Sequence, residues 1–193
     1  MNLDKTAEIG ALLAGTGLEV LCLADLPGAK APEETGATLA ENSLLKARAA
    51  RDASGITSLA DDTGLEVDAL DGAPGVYSSR FAGLGASYDD NCRLLLERLR
   101  GLPLERRTAR FRCVIALAFT DGSETIVEGV VEGRILESRR GAGGFGYDPL
   151  FEPLGSGRTY AEMPLEEKNR LSHRALAVRQ AAEALRERLG DGS

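Results

Sequence analysis

The sequence is poor in cations: 23 Lys and Arg stand against 30 Asp and Glu in 193 residues, a formal charge of −7 with a pI near 4.9. Broad binding to nucleic acid or to an anionic membrane needs a basic surface, so both are excluded as partners. A phosphate-bearing ligand has to be met by a local cluster of cations or by a metal. Cysteine is scarce too, with Cys22, Cys92 and Cys113 far apart and no C-x-x-C pair. That excludes a disulfide framework or zinc site and fits a reducing cytosol. No apolar run approaches the roughly 18 residues of a membrane helix, and no signal-peptide pattern opens the chain, so a cytoplasmic protein is expected. The nucleophile elbow G-x-S-x-G and the Walker A loop are both missing, as are internal repeats and low-complexity segments.

What is present is 43% hydrophobic, enough for one domain over residues 1–193 with a sizeable core. Helical spacing predicts a helix from Leu3 to Leu13, and Gly15 and Gly17 end it. A strand is expected over Leu18–Leu23, then a loop from Pro27 to Gly36. Thr38-x-x-Glu41 is a capping box that opens a helix to about Arg51. The apolar run Ile56 to Ala60 reads as a strand that delivers Asp61 and Asp62 to its C-terminal end and turns at Thr63-Gly64. Leu65 to Leu70 then returns as a second strand. A Gly/Pro-rich loop, a helix over Ser87 to Arg100 and a long antiparallel hairpin (Thr108 to Phe119, Thr125 to Leu136) turning at Asp121-Gly122 follow. Gly141 to Pro149 is an ordered, aromatic-bearing loop. Pro164 starts a short helix, and Ser172 caps a last one with Val178, Ala182, Leu185 and Leu189 on one stripe; residues after Gly190 are expected to fray.

Several groups of residues can carry chemistry, and each also has a plainer reading. Successive strand residues point to opposite faces, so at most one of Asp61 and Asp62 faces a given cleft; a solvated Asx turn is the alternative. Glu33, Glu41 and the two aspartates offer the oxygens Mg²⁺ prefers, although Glu41 also fits the capping box and Glu33 a loop surface. Lys5 and Lys46 fit either an anion site or solvated helix faces. Gly143 to Asp148 places glycines around Phe145 and Tyr147, which suits a ring or an anion, or simply a tight turn. Lys168, Ser172, His173 and Arg174 put cations and the single histidine at a helix start, either an anion or polar-base site or an ordinary basic surface.

Taken together, Ala60-Asp61-Asp62-Thr63-Gly64-Leu65, Gly72-Ala73-Pro74-Gly75-Val76-Tyr77-Ser78, Gly143-Gly144-Phe145-Gly146-Tyr147-Asp148-Pro149 and Glu167-Lys168 with Ser172-His173-Arg174 resemble the inosine triphosphate pyrophosphatase family. Glu34-Thr35-Gly36, Glu41-Asn42, Lys46-Ala47 and Asn2-x-x-Lys5-x-x-Glu8 are similar to its earlier segments. One departure is that Met1 alone precedes Asn2, where the family has an apolar strand. The expectation is a native start about ten residues upstream, with a Val/Ile/Leu-rich run and a Ser or Thr two residues before Asn2.

The resemblance implies an α/β fold: a long, mixed, twisted sheet flanked by helices, with two lobes around a nucleotide groove. It implies a homodimer that hydrolyses ITP, dITP and XTP to the monophosphate and pyrophosphate with Mg²⁺. Asp62 is then the proton acceptor and, with Glu33, the metal ligand. Asn2, Lys5 and Lys46 bind the phosphate end, and Thr63 also binds the substrate. Phe145 stacks on the base in a pocket shaped by Gly146, Tyr147 and Asp148, while Lys168, His173 and Arg174 read the purine 6-oxo edge. The alternatives are a nucleotide-binding protein without turnover and a related pyrophosphatase of other modified nucleotides, notably pyrimidines.

Overall fold

The structure is a computed structural model that describes residues 3–14, 17–25 and 32–190. Asn2, the start of the Pro27 to Gly36 loop, the tail after Gly190 and the side chain of Leu189 lie outside the described residues. Helix α1 covers Leu3–Leu13. The strand expected next does not form: residues 18–22 are irregular and lead into a single 3-10 turn, Leu23–Asp25. Val20 and Leu21 remain about half exposed and Leu18 packs only partly against the core, so this stretch has little buried face to reward an extended conformation.

Helix α2, Leu39–Ser54, begins as its sequence dictates. Thr38 Oγ1 accepts the Glu41 N–H at 3.1 Å, and the Glu41 carboxylate accepts the backbone N–H groups of Thr38 and Ala37. Glu41 therefore serves the helix cap, satisfying donors that would otherwise be orphaned. Gly55, at φ 73°, ends the helix in the left-handed conformation that glycine tolerates best.

The Asp-Asp segment departs furthest from its expected form. Strand β1 runs unbroken from Ser58 to Val67, so the carboxylates lie within a strand and no turn follows them. What looked like a returning strand is the continuation of the same one, followed by a 3-10 turn at Asp68–Leu70. The glycine that suggested a turn is instead a point of close backbone approach. A Cβ on Gly64 would meet Gly75 O at 2.7 Å, and Gly75 belongs to the short strand β2, Pro74–Gly75, paired antiparallel with β1.

Helix α3 (Tyr88–Arg98) is capped by Ser87 with Asp90, and it buries Cys92, Leu95 and the following Leu99, with Leu94 half-buried. Strands β3 (Thr108–Ala118) and β4 (Glu124–Ile135) form the expected hairpin. β5, Phe151–Pro153, pairs antiparallel with β4. Helices α4 (Leu165–Leu171, with Pro164 as its cap) and α5 (His173–Gly190) complete the chain. The sheet order is β2-β1-β3-β4-β5. Glu66 bonds Arg112 while Asp68 bonds Arg110, rising numbers against falling ones, so β1 and β3 are antiparallel too. The α/β class is as expected, but the sheet among the described residues is antiparallel, with no parallel pair to make it mixed.

The chain divides into two compact units: residues up to Asp62 with Cys113–Gly129 and Arg174 onward, and Thr63–Arg112 with Val130–His173. In the first, Cys113, Ile115, Leu117 and Phe119 pack against Ala177, Val178, Ala181, Ala182 and Leu185 of α5 and Leu13 of α1. Ala116 and Ala118, alternating with these, pack with Ala47 and Leu44 of α2. In the second, Leu65, Val67, Leu95, Leu99, Phe111, Ile135, Phe151 and Tyr160 belong to one buried cluster.

Gly64→Ala should lower stability by about 1–3 kcal/mol, because the added methyl must displace a strand backbone rather than a flexible side chain. Urea denaturation checks this, and an unchanged midpoint would show that β2 yields freely.

Candidate active site

Alternation along β1 separates the two adjacent carboxylates, and each finds its own cations within the first unit. Asp61 shares its face with Leu59, toward α1 and α5. Its Oδ2 is 3.1 Å from Lys5 Nζ and 3.8 Å from Arg174 Nε, and the buried Cys113 Sγ lies 4.0 Å away. Arg174 is 2% exposed and its guanidinium also bonds the buried Glu8 of α1. Burial opposes the Asp61 charge, but Lys5, Arg174 and Lys46 outweigh it and hold the carboxyl well below the usual carboxylate range.

Asp62, buried, turns to the other face with Ala60, toward α2. Its Oδ1 accepts from Lys46 Nζ at 2.9 Å and its Oδ2 from Asn42 Nδ2 at 3.4 Å. Lys46 Nζ also reaches Glu34 Oε1 at 2.9 Å. Here burial is the largest influence and raises the proton affinity of Asp62 above the ordinary value, in spite of Lys46 and Lys5. Burial weakens the Lys46 charge, but Asp62, Glu34 and Asp61 more than restore it. Two neighbouring aspartates are thus driven apart in proton affinity, a pattern that separates a fixed charge from a candidate acid or base.

The second unit holds the aromatic loop. Asp148 Oδ2 accepts the Phe145 N–H at 2.9 Å and Lys168 Nζ at 2.6 Å, and both charged groups are buried. A Cβ on Gly144 would collide with that same carboxylate oxygen at 2.0 Å, so glycine there lets the loop fold over Asp148. Lys168 Nζ sits 5.0 Å from the centroid of the half-buried Phe145 ring and 5.7 Å from that of Tyr160. Tyr88 touches Phe145 with centroids 5.9 Å apart. The Tyr147 hydroxyl donates to Ser78 O at 2.9 Å, and the Cys92 thiol to Gly146 O at 3.3 Å. His173 stacks on Phe111 at 4.5 Å, with Tyr160 6.0 Å away.

Lys5, Lys46, Asp62 and Arg174 are therefore brought together in one unit, and Phe145, Gly146, Tyr147, Asp148, Lys168 and His173 in the other. Thr63 follows Asp62 in β1. Asn2 lies outside the described residues. The Arg174 guanidinium is engaged by Glu8 and Asp61, a different setting from that of Lys168 and His173. Glu33 is exposed, and its neighbour Glu34 carries the contact to Lys46. Sequence reasoning missed Asn42, Glu34 and Glu8 as members of the cluster. The spacing Lys5-x-x-Glu8, which puts both on one face of α1, was the available signal for Glu8.

Among the described residues, no three His, Cys, Asp or Glu side chains come together to hold a metal. Mg²⁺ commonly takes one or two carboxylates and completes its shell with water and substrate phosphate oxygens. Asp62 and Glu34, which share Lys46 Nζ, offer carboxylate oxygens of that kind, so the chemistry of these residues fits such an ion.

The Ham1 family profile matches residues 1–184. The chain belongs to the Ham1 family. A dITP/XTP pyrophosphatase of Elusimicrobium minutum is 51% identical over 189 residues, covering 96% of each chain. One of Desulforamulus reducens is 48% identical over 184 residues, covering 95% of this chain and 92% of the relative. The solved HAM1 protein of Coxiella burnetii superposes with a TM-score of 0.87 at 40% identity, covering 97% of this chain and 95% of that one. The resemblance read from the sequence is borne out, and both carboxylate environments lie within the matched Ham1 residues. Among the described residues, no helix is long and apolar enough to cross a membrane.

Asp61→Asn should cost about 3–5 kcal/mol at neutral pH, since it leaves Arg174 and Lys5 without their buried counter-charge. The folded-state pKa of Asp61 is depressed, so its contribution is present above the unfolded value and fades as pH falls below about 4. Urea denaturation of both proteins should show the gap narrowing on acidification. A gap independent of pH would contradict this account of Asp61.

Proposed function

We propose that the chain hydrolyses non-canonical purine nucleoside triphosphates (dITP, XTP and ITP) to the monophosphate and pyrophosphate. The observation that carries this reading is the buried Asp62 carboxylate, held by Lys46 Nζ at 2.9 Å and raised in proton affinity by burial. An acidic protein that handles a triphosphate needs local cations, and Lys46 beside Asp62, with Lys5 beside the neighbouring Asp61, is the candidate source. The names of the relatives agree with it.

In the proposed mechanism, Asp62 orients a water toward the α-phosphorus and accepts its proton as the P–O bond forms. The bond from the α-phosphorus to the bridging oxygen breaks, and pyrophosphate leaves. Asp62 and Glu33 would hold Mg²⁺, which would supply charge neutralisation for the triphosphate. Lys46 keeps the Asp62 carboxylate in place, while Thr63 and Asn2 join the phosphate contacts. Phe145 stacks on the base, with Gly146 to Asp148 shaping the pocket. Lys168, held by Asp148, and His173 meet the 6-oxo edge, where adenine's amino group would leave donors unpaired. Arg174 supports the site from behind, through Asp61 and Glu8. The same reading carries a homodimer in a cytosolic setting, and light scattering of the purified protein tests the dimer.

A panel of dITP, XTP, ITP, ATP, dGTP and pyrimidine triphosphates, with pyrophosphate release followed under Mg²⁺, tests the activity. The expected result is turnover of the 6-oxo non-canonical purines at kcat/KM at least about a hundredfold above ATP. Binding of dITP without release of pyrophosphate would select a non-hydrolysing nucleotide-binding protein. Preference for a modified pyrimidine would select the related pyrophosphatase reading. Asp62→Asn should fold and lose at least about a hundredfold in kcat; near-normal turnover would remove Asp62 from the chemistry.

A further inference from the structure

Asn42 has no role in the chemistry above, yet it is completely buried at 0% exposure and contacts the proposed proton acceptor. Its Oδ1 accepts the Gly36 N–H at 2.8 Å, and its Nδ2 donates to Asp62 Oδ2 at 3.4 Å. A backbone N–H only donates and a carboxylate only accepts, so the two ends of the amide are fixed. Flipped, it would set donor against donor at Gly36 and oxygen against oxygen at Asp62. Gly36 presses directly on this amide: a Cβ there would meet Asn42 Oδ1 at 2.6 Å and Glu41 Cβ at 2.7 Å.

Lys46 completes the arrangement. It lies one helical turn after Asn42 on the same face of α2, and it takes the other oxygen, Asp62 Oδ1, at 2.9 Å. Each of the two α2 residues has a second contact on residues 34–36: Lys46 with Glu34, and Asn42 with Gly36. One donor on one oxygen would leave the carboxylate able to turn about Cβ–Cγ, whereas a donor on each oxygen fixes its plane. An amide does this without adding charge beside a group whose protonation matters.

We propose that Asn42 is a positioning residue that fixes the plane of the Asp62 carboxylate and ties it to the Glu34–Gly36 segment. The proposal rests on the reading of Asp62 as proton acceptor. A carboxylate free to rotate presents its lone pairs in the wrong direction for much of the time, and small misplacements of this kind cost up to about a hundredfold in rate.

The test is a double-mutant cycle, Asn42→Ala crossed with Asp62→Asn, on dITP pyrophosphate release at saturating Mg²⁺. The carboxyl ¹³C spectrum of the metal-free protein is recorded alongside. Asn42→Ala should lower kcat about 10- to 100-fold with little change in KM. It should add little further loss in the Asp62→Asn background, because the residue acts through that carboxylate. The Asp62 resonance should move or broaden while that of Asp61 stays in place. Asn42→Asp keeps the Gly36 bond and the side-chain shape but turns an acceptor toward Asp62, so it should fold and lose kcat at least as severely. Equal loss from Asn42→Ala in both backgrounds, an undisturbed Asp62 resonance, or wild-type kcat in Asn42→Asp would overturn the proposal. Wild-type protein inactive on every triphosphate would sink the functional reading as well; active wild type with an additive cycle would sink this inference alone.

Discussion

Two carboxylates that are neighbours in sequence cannot share one environment on an extended strand, because the backbone throws them to opposite faces. Much of the first unit is arranged around that constraint. On one face, α1 and α5 bring Lys5, Glu8 and Arg174 to Asp61, which stays ionised as part of a buried network. On the other, α2 brings Asn42 and Lys46 to Asp62, where burial leaves the carboxyl more ready to take a proton.

The buried ion pairs are better understood as orientation than as stability. A buried pair often stabilises no more than a well-packed apolar substitute, while loss of one partner is severe. Glu8 and Arg174 connect α1 to the first turn of α5, and Arg174 in turn approaches Asp61. In the second unit Lys168 and Asp148 do similar work: one carboxylate oxygen holds both the ammonium and the backbone of the Phe145 loop. The exposed pairs, such as Arg93 with Asp90 and Arg170 with Glu166, have no such organising role, and surface pairs of this kind contribute little.

What was legible in the sequence was mainly local. The Thr38–Glu41 box spans four residues and marks one helix start. The hairpin turn at Asp121-Gly122 and the ordered Gly143–Asp148 loop carry their own composition signals. The turn inferred at Asp61–Gly64 failed because Asp, Thr and Gly are turn formers in isolation. Here the glycine answers to the approach of Gly75, and the aspartates to cations on helices far away in sequence. The contact between Arg174 and Glu8 joins residues 166 positions apart, which no periodicity reveals. β2 and β5, two and three residues long, are too short to leave a pattern. The ordered motifs of a known family did more for the functional reading than any of these signals, while the separation of Asp61 from Asp62 needed only the period of a strand.

The separation itself can be measured directly by titrating the side-chain carboxyl ¹³C resonances of the metal-free protein. Asp61 should remain ionised well below the ordinary aspartate value of about 3.9, and Asp62 should take its proton above that value. Two superimposed titrations near the ordinary value, or an Asp62 that protonates at lower pH than Asp61, would contradict the division of labour on which this account of the site depends.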